Sequence, residues 1–190
     1  MKRLCVYCGS RPGKSPIHQE KTRDLGTRMA QEGIDLVYGG GNVGLMGLIA
    51  DTIMAQGGQV TGVIPKFLAN NEIAHEGITE LIMVTSMHER KQKMSELADG
   101  FITLSGGIGT FEEFFEMLSW FHLQLHHKPI GILNVEGYYD SLLQFLNQVE
   151  RDGFLSKATL DAVIVEDDPA RLLEKMQAFP KEDYFKKGLV

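Results

Sequence analysis

Two glycine-rich segments carry the residue types that bind phosphate groups. In the first, residues 38–47 read YGGGNVGLMG, and Gly39, Gly41 and Gly44 have G-x-G-x-x-G spacing. Glycine lets the backbone approach a ligand closely and aim N–H groups at an anion beside a helix N-terminus. We therefore expect a phosphate or nucleotide cradle with contacts at Gly40, Gly41 and Gly44, or else a tight turn that only packs a helix on the sheet.

The same segment is a poor candidate for a dinucleotide site. NAD-binding folds place a carboxylate about 20 residues after the glycines to hold a ribose. Here that region, Gln59–Ile64, contains no carboxylate, and the glycines follow the second predicted strand rather than the first. An NAD-dependent enzyme is therefore the weakest of the functional hypotheses.

The second glycine-rich segment places carboxylates beside an open loop. Residues 105–113 read SGGIGTFEE and lack the Gly-Lys-Ser/Thr ending of a P-loop, so ATP hydrolysis is not indicated. Thr110 and Glu113 have the spacing of a capping box, which gives Glu113 a structural explanation, and Glu112 suits a helix N-terminus through the helix dipole. Alternatively, one carboxylate acts as a general base or stabilises positive charge. The local sequence favours neither explanation.

A basic pair follows another capping box. Ser86 and Glu89 predict that a helix begins at Met87, so Arg90 and Lys91 fall in or just after its first turn. The helix dipole disfavours cations there by only about a few tenths of a kcal/mol. The pair is therefore either solvated or positioned to bind a phosphate, with which an arginine can form two hydrogen bonds.

Neither the cysteines nor the histidines indicate a metal site. Cys5 and Cys8 lie three positions apart on a predicted strand, which points them to opposite faces of a sheet, so we expect two core thiols. His122 and His126 have i, i+4 spacing without the glutamate of an H-E-x-x-H motif. We expect them on one face of a helix over 110–125, at the surface or at an interface.

Short apolar runs alternate with amphipathic stretches along the whole chain. The predicted strands are Leu4–Cys8, Asp35–Tyr38, Gln59–Ile64, Leu81–Thr85, Phe101–Leu104, Ile130–Leu133 and Val163–Val165. The predicted helices are Pro16–Glu32, Leu45–Gln56, Met87–Ala98, Thr110–Leu125, Tyr138–Arg151 and Pro169–Ala178. This alternation predicts an α/β fold: a doubly wound, Rossmann-like parallel sheet with helices on both faces. Ligands of such folds bind at the carboxyl ends of the strands.

Length and composition narrow the class of protein. With 190 residues, 43% of them hydrophobic, the chain fits a single domain, predicted over residues 1–180 with a charged tail at 181–190. A net charge of -6 disfavours nucleic acid and acidic membranes as partners, and no apolar run reaches the roughly 20 residues of a membrane span. With two cysteines and no signal-peptide pattern, we expect a cytoplasmic protein. The longest irregular stretch, Pro65–Thr79, includes Glu72 and is long enough to be functional.

The helix predicted over 110–125 is apolar on nearly every face, with Phe111, Phe115 and Trp120 among its aromatic residues. Such a helix is expected to be buried on both sides. A dimer interface and an aromatic pocket for a nucleobase both explain the pattern. The two are compatible if the site lies near the interface.

Together these segments resemble the LOG ("Lonely guy") family of cytokinin riboside 5′-monophosphate phosphoribohydrolases, also labelled possible lysine decarboxylases. The resemblance covers nearly the whole chain. It rests on CVYCGS at 5–10, YGGGNVGLMG at 38–47, MHERK at 87–91, GGIGTFEE at 106–113, KPIGILN at 128–134 and GYY at 137–139. The family motif is P-G-G-x-G-T-x-x-E, and Ser105 stands where it has proline, a departure expected to loosen the loop while leaving the glycines in place.

The resemblance implies cleavage of the N-glycosidic bond of a nucleoside 5′-monophosphate, giving free base and ribose 5-phosphate, without a cofactor. By position it implies that Arg90 and Glu113 are the catalytic pair. It assigns phosphate binding to Gly106, Gly107, Gly109 and Thr110, and further substrate contacts to Glu72, Lys91, Glu112 and Ser119. A carboxylate near the sugar fits an oxocarbenium-like transition state. The family also implies a homodimer with substrate contacts near the interface.

Other functions compete with this one. A non-catalytic nucleotide or cofactor carrier, like the related molybdenum-cofactor carrier proteins, would use the same glycine loops. Lysine decarboxylation would need an electron sink such as PLP and a Schiff-base lysine, and nothing in the sequence marks such a set. The hydrolase itself carries one electrostatic tension, because Glu112 and Glu113 would repel a phosphate at the same helix terminus unless Arg90 and Lys91 offset them.

Overall fold

The computed structural model describes residues 1–69 and 74–180, and one sheet runs through this part of the chain. Its strands are β1 Arg3–Tyr7, β2 Asp35–Tyr38, β3 Val60–Pro65, β4 Glu80–Val84, β5 Gly100–Thr103, β6 Ile130–Leu133 and β7 Val163–Glu166. The α-helices are α1 Ile17–Gln31, α2 Gly44–Ala55, α3 Lys66–Ala69, α4 Met87–Leu97, α5 Ile108–His122, α6 Asp140–Arg151, α7 Lys157–Asp161 and α8 Pro169–Gln177. A 3-10 turn at Val135–Gly137 precedes α6. The short helices α3 and α7 were not predicted.

All strand pairs are parallel, in the order β4-β3-β2-β1-β5-β6-β7. The winding runs outward from β1 through β4 and then reverses, so that β5 pairs with the other side of β1. In open α/β sheets the ligand crevice forms at this reversal, outside the carboxyl ends of the strands. The predicted doubly wound fold is confirmed, and it directs attention to the loops after β1 and β5.

Helices cover both faces of the sheet, and β1 shows how the chain fills both layers. Leu4 and Val6 pack with α1, α2 and α8, whereas Cys5 and Tyr7 pack with α4, α5 and α6. Cys8 joins the first layer, and both cysteines are buried free thiols, as predicted. Burial raises the pKa of each thiol far above its usual range, which keeps both protonated.

Helix α5 departs from its prediction at both ends. It begins at Ile108 with Gly107 as N-cap, so Thr110 and Glu113 do not form the expected capping box. It ends at His122, and therefore His126 does not share a helix face with His122. Nδ1 of His122 instead lies 2.9 Å from Oγ1 of Thr159.

Only one side of α5 is covered within a single chain. Phe114, Met117, Leu118 and Phe121 are buried in the core, whereas Ile108 is 82% exposed and Phe115 is 38% exposed. A single chain therefore leaves this side of the helix open, and its burial on both sides stays a prediction that needs a partner surface. Across residues 1–69 and 74–180, no helix combines the length and the apolarity needed to cross a membrane.

His126 is a buried histidine with both ring nitrogens engaged. Nε2 donates to the Met117 carbonyl at 2.9 Å, and Nδ1 accepts from the backbone N–H of Lys128 at 3.2 Å, which fixes the neutral ring. Burial is the main cause that lowers the pKa of His126 to about 4. Protonation at Nδ1 would also remove the acceptor for Lys128.

We expect this histidine to make the protein less stable in acid. The unfolded chain binds the proton below about pH 6.5, whereas the folded chain binds it only near pH 4, so the free energy of unfolding should fall as pH drops through this window, by up to about 3 kcal/mol. Urea unfolding between pH 7 and about pH 4 measures the effect. His126→Gln should flatten the dependence and His122→Gln should leave it; equal slopes in the wild type and His126→Gln would contradict the assignment.

Candidate functional site

The candidate site lies where the loop after β1 meets the loop after β5. The backbone N–H of Gly9 donates to the Ser105 carbonyl at 3.0 Å, and the Gly9 carbonyl accepts from the N–H of Leu45 at 3.0 Å. A Cβ at position 9 would lie 3.3 Å from Cα of Gly106, which shows how closely the two loops approach. The backbone of one residue thus joins two loops and the first turn of α2.

The first glycine-rich segment makes its contacts with the chain itself. Gly44 has a φ of +61°, and a Cβ there would lie 2.3 Å from the carbonyl carbon of Ser10, so only glycine fits against the β1–α1 loop. The Gly40 carbonyl accepts from the N–H of His75 at 2.9 Å, and Gly41 forms an isolated bridge with Ala74. The structure therefore places Gly40, Gly41 and Gly44 in packing contacts, which matches the tight-turn alternative.

Helix α4 buries the basic pair. Oγ of Ser86 accepts from the N–H of Glu89 at 3.1 Å, so the helix begins at Met87 as predicted. Arg90 and Lys91 are only 4% and 7% exposed, which excludes the solvated-pair alternative. Burying two cations in one turn requires partners for both, and the two residues find different ones.

Backbone carbonyls hold the Arg90 guanidinium at the ends of two strands. Nε donates to the Val63 carbonyl at 3.0 Å, and Nη2 donates to the Gly39 carbonyl at 2.6 Å. A Cβ at Gly39 would lie 2.2 Å from Nη2, so the arginine occupies space that any other residue would fill. These two carbonyls fix the position of the guanidinium.

Lys91 joins α4 to α5. Its ammonium donates to carboxylate oxygens of Glu112 and Glu116, the latter at 2.9 Å. Burial works to lower the pKa of Lys91, but the hydrogen bonds to the two carboxylates outweigh it and raise that pKa above its ordinary value. The lysine therefore fixes the helix that carries Arg90 against the helix that carries Glu113.

The start of α5 is open. Its N-cap is Gly107, which offers no side chain to the N–H groups of the first turn. A Cβ at Gly107 or Gly109 would meet no atom within 4 Å, so both residues border free space. Gly106 differs, because a Cβ there would lie 2.1 Å from Oγ1 of the buried Thr110. A helix N-terminus of this kind attracts an anionic group.

These elements enclose a cavity of about 260 Å³, here called the carboxylate cavity. Its predicted site residues are Arg90, Gly107, Gly109, Thr110, Glu112 and Glu113, and its other described lining residues are Cys8, Gly9, Ser10, Met46, Leu68, Met87 and Ile108. Of the remaining predicted residues, Ser119 lies on the exposed face of α5, beside an apolar groove that includes Phe115 and Phe145. Glu72 lies outside the described residues.

A second cavity of about 430 Å³, here called the basic cavity, shares Gly9, Ser10 and Gly107 with the first. Its remaining lining residues are Arg11, Pro12, Gly13, Lys14, His18, Leu45, Ser105, Gly106 and Tyr138. Arg11 and Lys14, which line this cavity, were not among the predicted site residues. Their position in the sequence could have indicated them, because both residues follow the carboxyl end of β1, where ligands of this fold bind.

Ser105 is held more firmly than expected. Its Oγ lies 2.8 Å from Nδ1 of His18, its carbonyl accepts from Gly9, and the residue is 7% exposed. The neighbouring Gly106 carbonyl accepts a hydrogen bond from the Tyr138 hydroxyl at 2.6 Å. The serine that stands in the place of the motif proline therefore ties the loop to α1 and does not loosen it.

The groups that line the carboxylate cavity can together bind a ligand that has an anionic end and a sugar. The open first turn of α5 and the glycine loop suit a phosphate, and the Glu113 carboxylate lines the same cavity as the Arg90 guanidinium. Among the described residues, no group of three or more His, Cys, Asp or Glu side chains is arranged to hold a metal ion. The groups that line the cavity include two carboxylates, a guanidinium and the backbone at the start of α5.

Comparisons with known proteins show the family to which the chain belongs. The family model described as "Possible lysine decarboxylase" matches residues 46–176. The cytokinin riboside 5′-monophosphate phosphoribohydrolase LOG2 of Arabidopsis thaliana is 43% identical over 190 residues, covering 100% of this chain and 89% of that protein. The probable cytokinin riboside 5′-monophosphate phosphoribohydrolase LOGL5 of Oryza sativa subsp. japonica is 44% identical over 178 residues, covering 94% of this chain and 72% of that protein.

Solved structures share the fold at lower identity. The molybdenum cofactor binding protein from Rippkaea orientalis matches with a TM-score of 0.71 at 21% identity, covering 94% of this chain and 97% of that one. The molybdenum cofactor carrier protein from Chlamydomonas reinhardtii matches with a TM-score of 0.68 at 17% identity, covering 93% of this chain and 98% of that one. Likeness at such identities shows the fold alone.

Two glycine substitutions should differ in how much they lower the free energy of unfolding. Gly44→Ala forces a Cβ into the Ser10–Arg11 backbone at a positive φ and should cost at least about 2 kcal/mol of unfolding free energy. Gly39→Ala meets only the end of the Arg90 side chain, which can move into the carboxylate cavity, so it should cost less than about 1 kcal/mol. Urea denaturation of both variants tests this order, and a Gly44→Ala protein as stable as the wild type would contradict it.

Proposed function

The chain belongs to the LOG phosphoribohydrolase family, whose family model is described as "Possible lysine decarboxylase", and we propose that it hydrolyses the N-glycosidic bond of purine riboside 5′-monophosphates. The products are free base and ribose 5-phosphate. The observation that carries the proposal is that Arg90 and Glu113 line one cavity with the open glycine loop at the start of α5. Substrates of this class include AMP and isopentenyladenosine 5′-monophosphate.

In this proposal Glu113 acts at the sugar. Breaking the N-glycosidic bond builds positive charge on the anomeric carbon and ring oxygen, and a nearby carboxylate stabilises that charge or activates the attacking water. The capping explanation for Glu113 is removed, since α5 begins at Ile108 with Gly107 as its N-cap. Its place on the first turns of a helix that Lys91 fixes to α4 suits a carboxylate whose position must be precise.

Arg90 supplies a fixed positive charge in the same cavity. Because two carbonyls already hold its guanidinium, binding a substrate costs little further ordering of this side chain. The backbone N–H groups beside Gly107 and Gly109 and the hydroxyl of Thr110 are proposed to bind the 5′-phosphate. Phosphate binding remote from the breaking bond provides energy that orients the ribose for reaction.

Lysine decarboxylation finds no support at this site. A lysine that forms a Schiff base must lose its proton, which neighbouring cations or desolvation favour. Lys91 contacts two carboxylates, and its raised pKa keeps it protonated. The described geometry therefore favours hydrolysis of a glycosidic bond over amine chemistry.

The reaction and its two principal residues are tested together. Purified protein incubated with AMP and with isopentenyladenosine 5′-monophosphate should release free base and ribose 5-phosphate, detected by chromatography. Glu113→Gln and Arg90→Ala should each lower turnover by about a hundredfold or more, because each removes charge stabilisation at the reacting sugar. Gly39→Ala, which displaces the Arg90 guanidinium, should also lower turnover.

Glu174→Gln, an exposed carboxylate on α8, is the matched control and should retain wild-type turnover. Wild-type turnover in Glu113→Gln would remove that residue from catalysis. If the wild type binds both nucleotides without releasing base, the protein is a carrier and the hydrolase proposal is wrong.

We also propose that two copies of the chain assemble through the uncovered faces of α5 and α6. A groove of about 330 Å³ there includes Phe115, Ser119 and Phe145, and Phe145 is 62% exposed. An apolar surface of this kind is typical of a protein interface. Ser119, to which the family resemblance assigns a substrate contact, lines this groove, and this supports an interface that takes part in substrate binding.

Sedimentation tests the dimer. The wild type should sediment with twice the 21.2 kDa chain mass, and Phe145→Glu should shift the protein toward the chain mass because a charge cannot be buried in an apolar interface without a partner. Met83→Glu, on the edge strand β4, is the control and should leave the dimer intact. A wild type of single-chain mass would overturn the proposal.

The proposed enzyme is cytoplasmic. Cys5 and Cys8 are free thiols, and disulfides are rare in the reducing cytosol, so the cysteine chemistry is compatible with that compartment. The net charge of -6 supports small anionic substrates bound at a local cationic site over nucleic acid or an acidic membrane surface.

A further inference from the structure

Glu116, three residues after Glu113 on α5, is a partly buried carboxylate to which no role has yet been assigned. Its Oε1 accepts a hydrogen bond from the Lys91 ammonium at 2.9 Å. Its Oε2 is buried and, among the described residues, has no hydrogen-bond partner. Desolvating a carboxylate costs free energy that an apolar side chain of similar size would not. The contact with Lys91 is therefore the feature of Glu116 that needs an explanation.

Of the two carboxylates that Lys91 contacts, Glu116 is the more shielded from water. The Glu112 side chain is 50% exposed, whereas that of Glu116 is 20% exposed. Water screens an exposed ion pair more than a buried one, so the Lys91–Glu116 contact is the stronger of the two. Among the described residues that line the carboxylate cavity, Arg90 is present and Lys91 is not. The buried ammonium therefore serves the contact between helices α4 and α5.

This contact lies beside the two residues that are proposed to act in the reaction. Lys91 directly follows Arg90 on α4, and Glu116 lies about 4.5 Å along the axis of α5 from Glu113. The Lys91–Glu116 pair therefore joins the two helices within one turn of both residues. A displacement of about 1 Å between reacting groups can lower a rate by on the order of a hundredfold, so this distance must be held closely.

The pair supplies a directional contact that the core packing of α5 does not. The buried side of α5 consists of apolar side chains, among them Phe114 and Met117, and apolar packing has no preferred direction. Arg90 is bonded to carbonyls of the sheet strands and so anchors α4 to the sheet. A hydrogen-bonded ion pair between α4 and α5 then fixes how far α5 can slide along that anchored helix.

We propose that Glu116 is a positioning residue of the enzyme: through Lys91 it holds α5, and with it Glu113, at the distance from Arg90 that the reaction requires. The proposal rests on the proposed function, since it takes hydrolysis of the N-glycosidic bond as the reaction. Glu116 is not among the described residues that line either cavity, so it acts through Lys91 and not on the substrate.

Steady-state kinetics with AMP test the role of Glu116. Glu116→Gln keeps the size of the side chain and removes its charge, so it should lower kcat by about tenfold or more and leave KM within about twofold of the wild type. A kcat within about twofold of the wild type would overturn the positioning role.

A double-mutant cycle tests whether Glu116 acts through Lys91. The variant Lys91→Met/Glu116→Gln should lose no more kcat than Lys91→Met alone, because residues that act through one contact are not additive. If Lys91 instead contacts the substrate, as the family resemblance implies, Lys91→Met raises KM and the two losses multiply, which would contradict the proposal. The double variant leaves no buried charge of this pair behind, so it carries the kcat test even if a single variant does not fold.

Glu166→Gln is the matched control. Glu166 is a partly buried glutamate that pairs with Lys175 and Arg171 and joins β7 to α8, and the described lining of both cavities does not include it. The substitution should lower stability and leave kcat unchanged. A fall in kcat as large in Glu166→Gln as in Glu116→Gln would show a general effect of losing an ion pair and overturn the proposal.

Hydrogen exchange measured by mass spectrometry gives a readout that does not need turnover. Amides of residues 108–118 should exchange faster in Glu116→Gln than in the wild type, and Glu166→Gln should leave them unchanged. Unchanged exchange in Glu116→Gln would overturn the proposal. If exchange rises while the wild type releases no base, the link between α4 and α5 stands and the hydrolase proposal alone fails.

Discussion

The close backbone contact of Gly9 with its neighbours is the constraint on which the site depends. Its N–H donates to the Ser105 carbonyl and its carbonyl accepts from the N–H of Leu45, so one residue joins the loops after β1 and β5 to the first turn of α2. Because these strands are central and parallel, their carboxyl ends are already side by side, and only the loops need to be held. Both cavities then form on either side of the same short segment, and moving that segment would deform both at once.

The two buried cations of α4, Arg90 and Lys91, differ in their electrostatic partners. The Arg90 guanidinium donates to the carbonyls of Val63 and Gly39, whereas the Lys91 ammonium is ion-paired with Glu112 and Glu116. The first set of contacts anchors a cation at the ends of two strands, and the second links two helices. Arg90 and Lys91 are adjacent and both positively charged, but they have different roles. Both can be buried because each has its own partners.

Much of the fold was predictable because its signals are local. Apolar runs between glycines predicted all seven strands, and Ser86 correctly marked the start of α4. The predicted start of α5 was wrong because Thr110 and Gly107 are both acceptable N-cap residues. Only the packing of Thr110 on Gly106 decides between them. The pattern of the first segment left a ligand cradle and a packing turn open, because it cannot show that Gly44 faces the Ser10–Arg11 backbone. Such long-range contacts follow from topology, which the spacing of residues does not contain.

The His18–Ser105 pair shows how a motif can change without losing its geometry. A proline at position 105 would stiffen the loop through its ring, whereas serine reaches across to α1 with its hydroxyl. Both residues keep the carbonyl that accepts from Gly9, so the contact that joins the loops is independent of the side chain. The serine, however, requires a partner, and His18 supplies it while packing on Tyr138. Ser105 and His18 are therefore best understood as one unit: loss of the histidine would leave a buried hydroxyl without this partner, and the loop would lose its side-chain contact with α1.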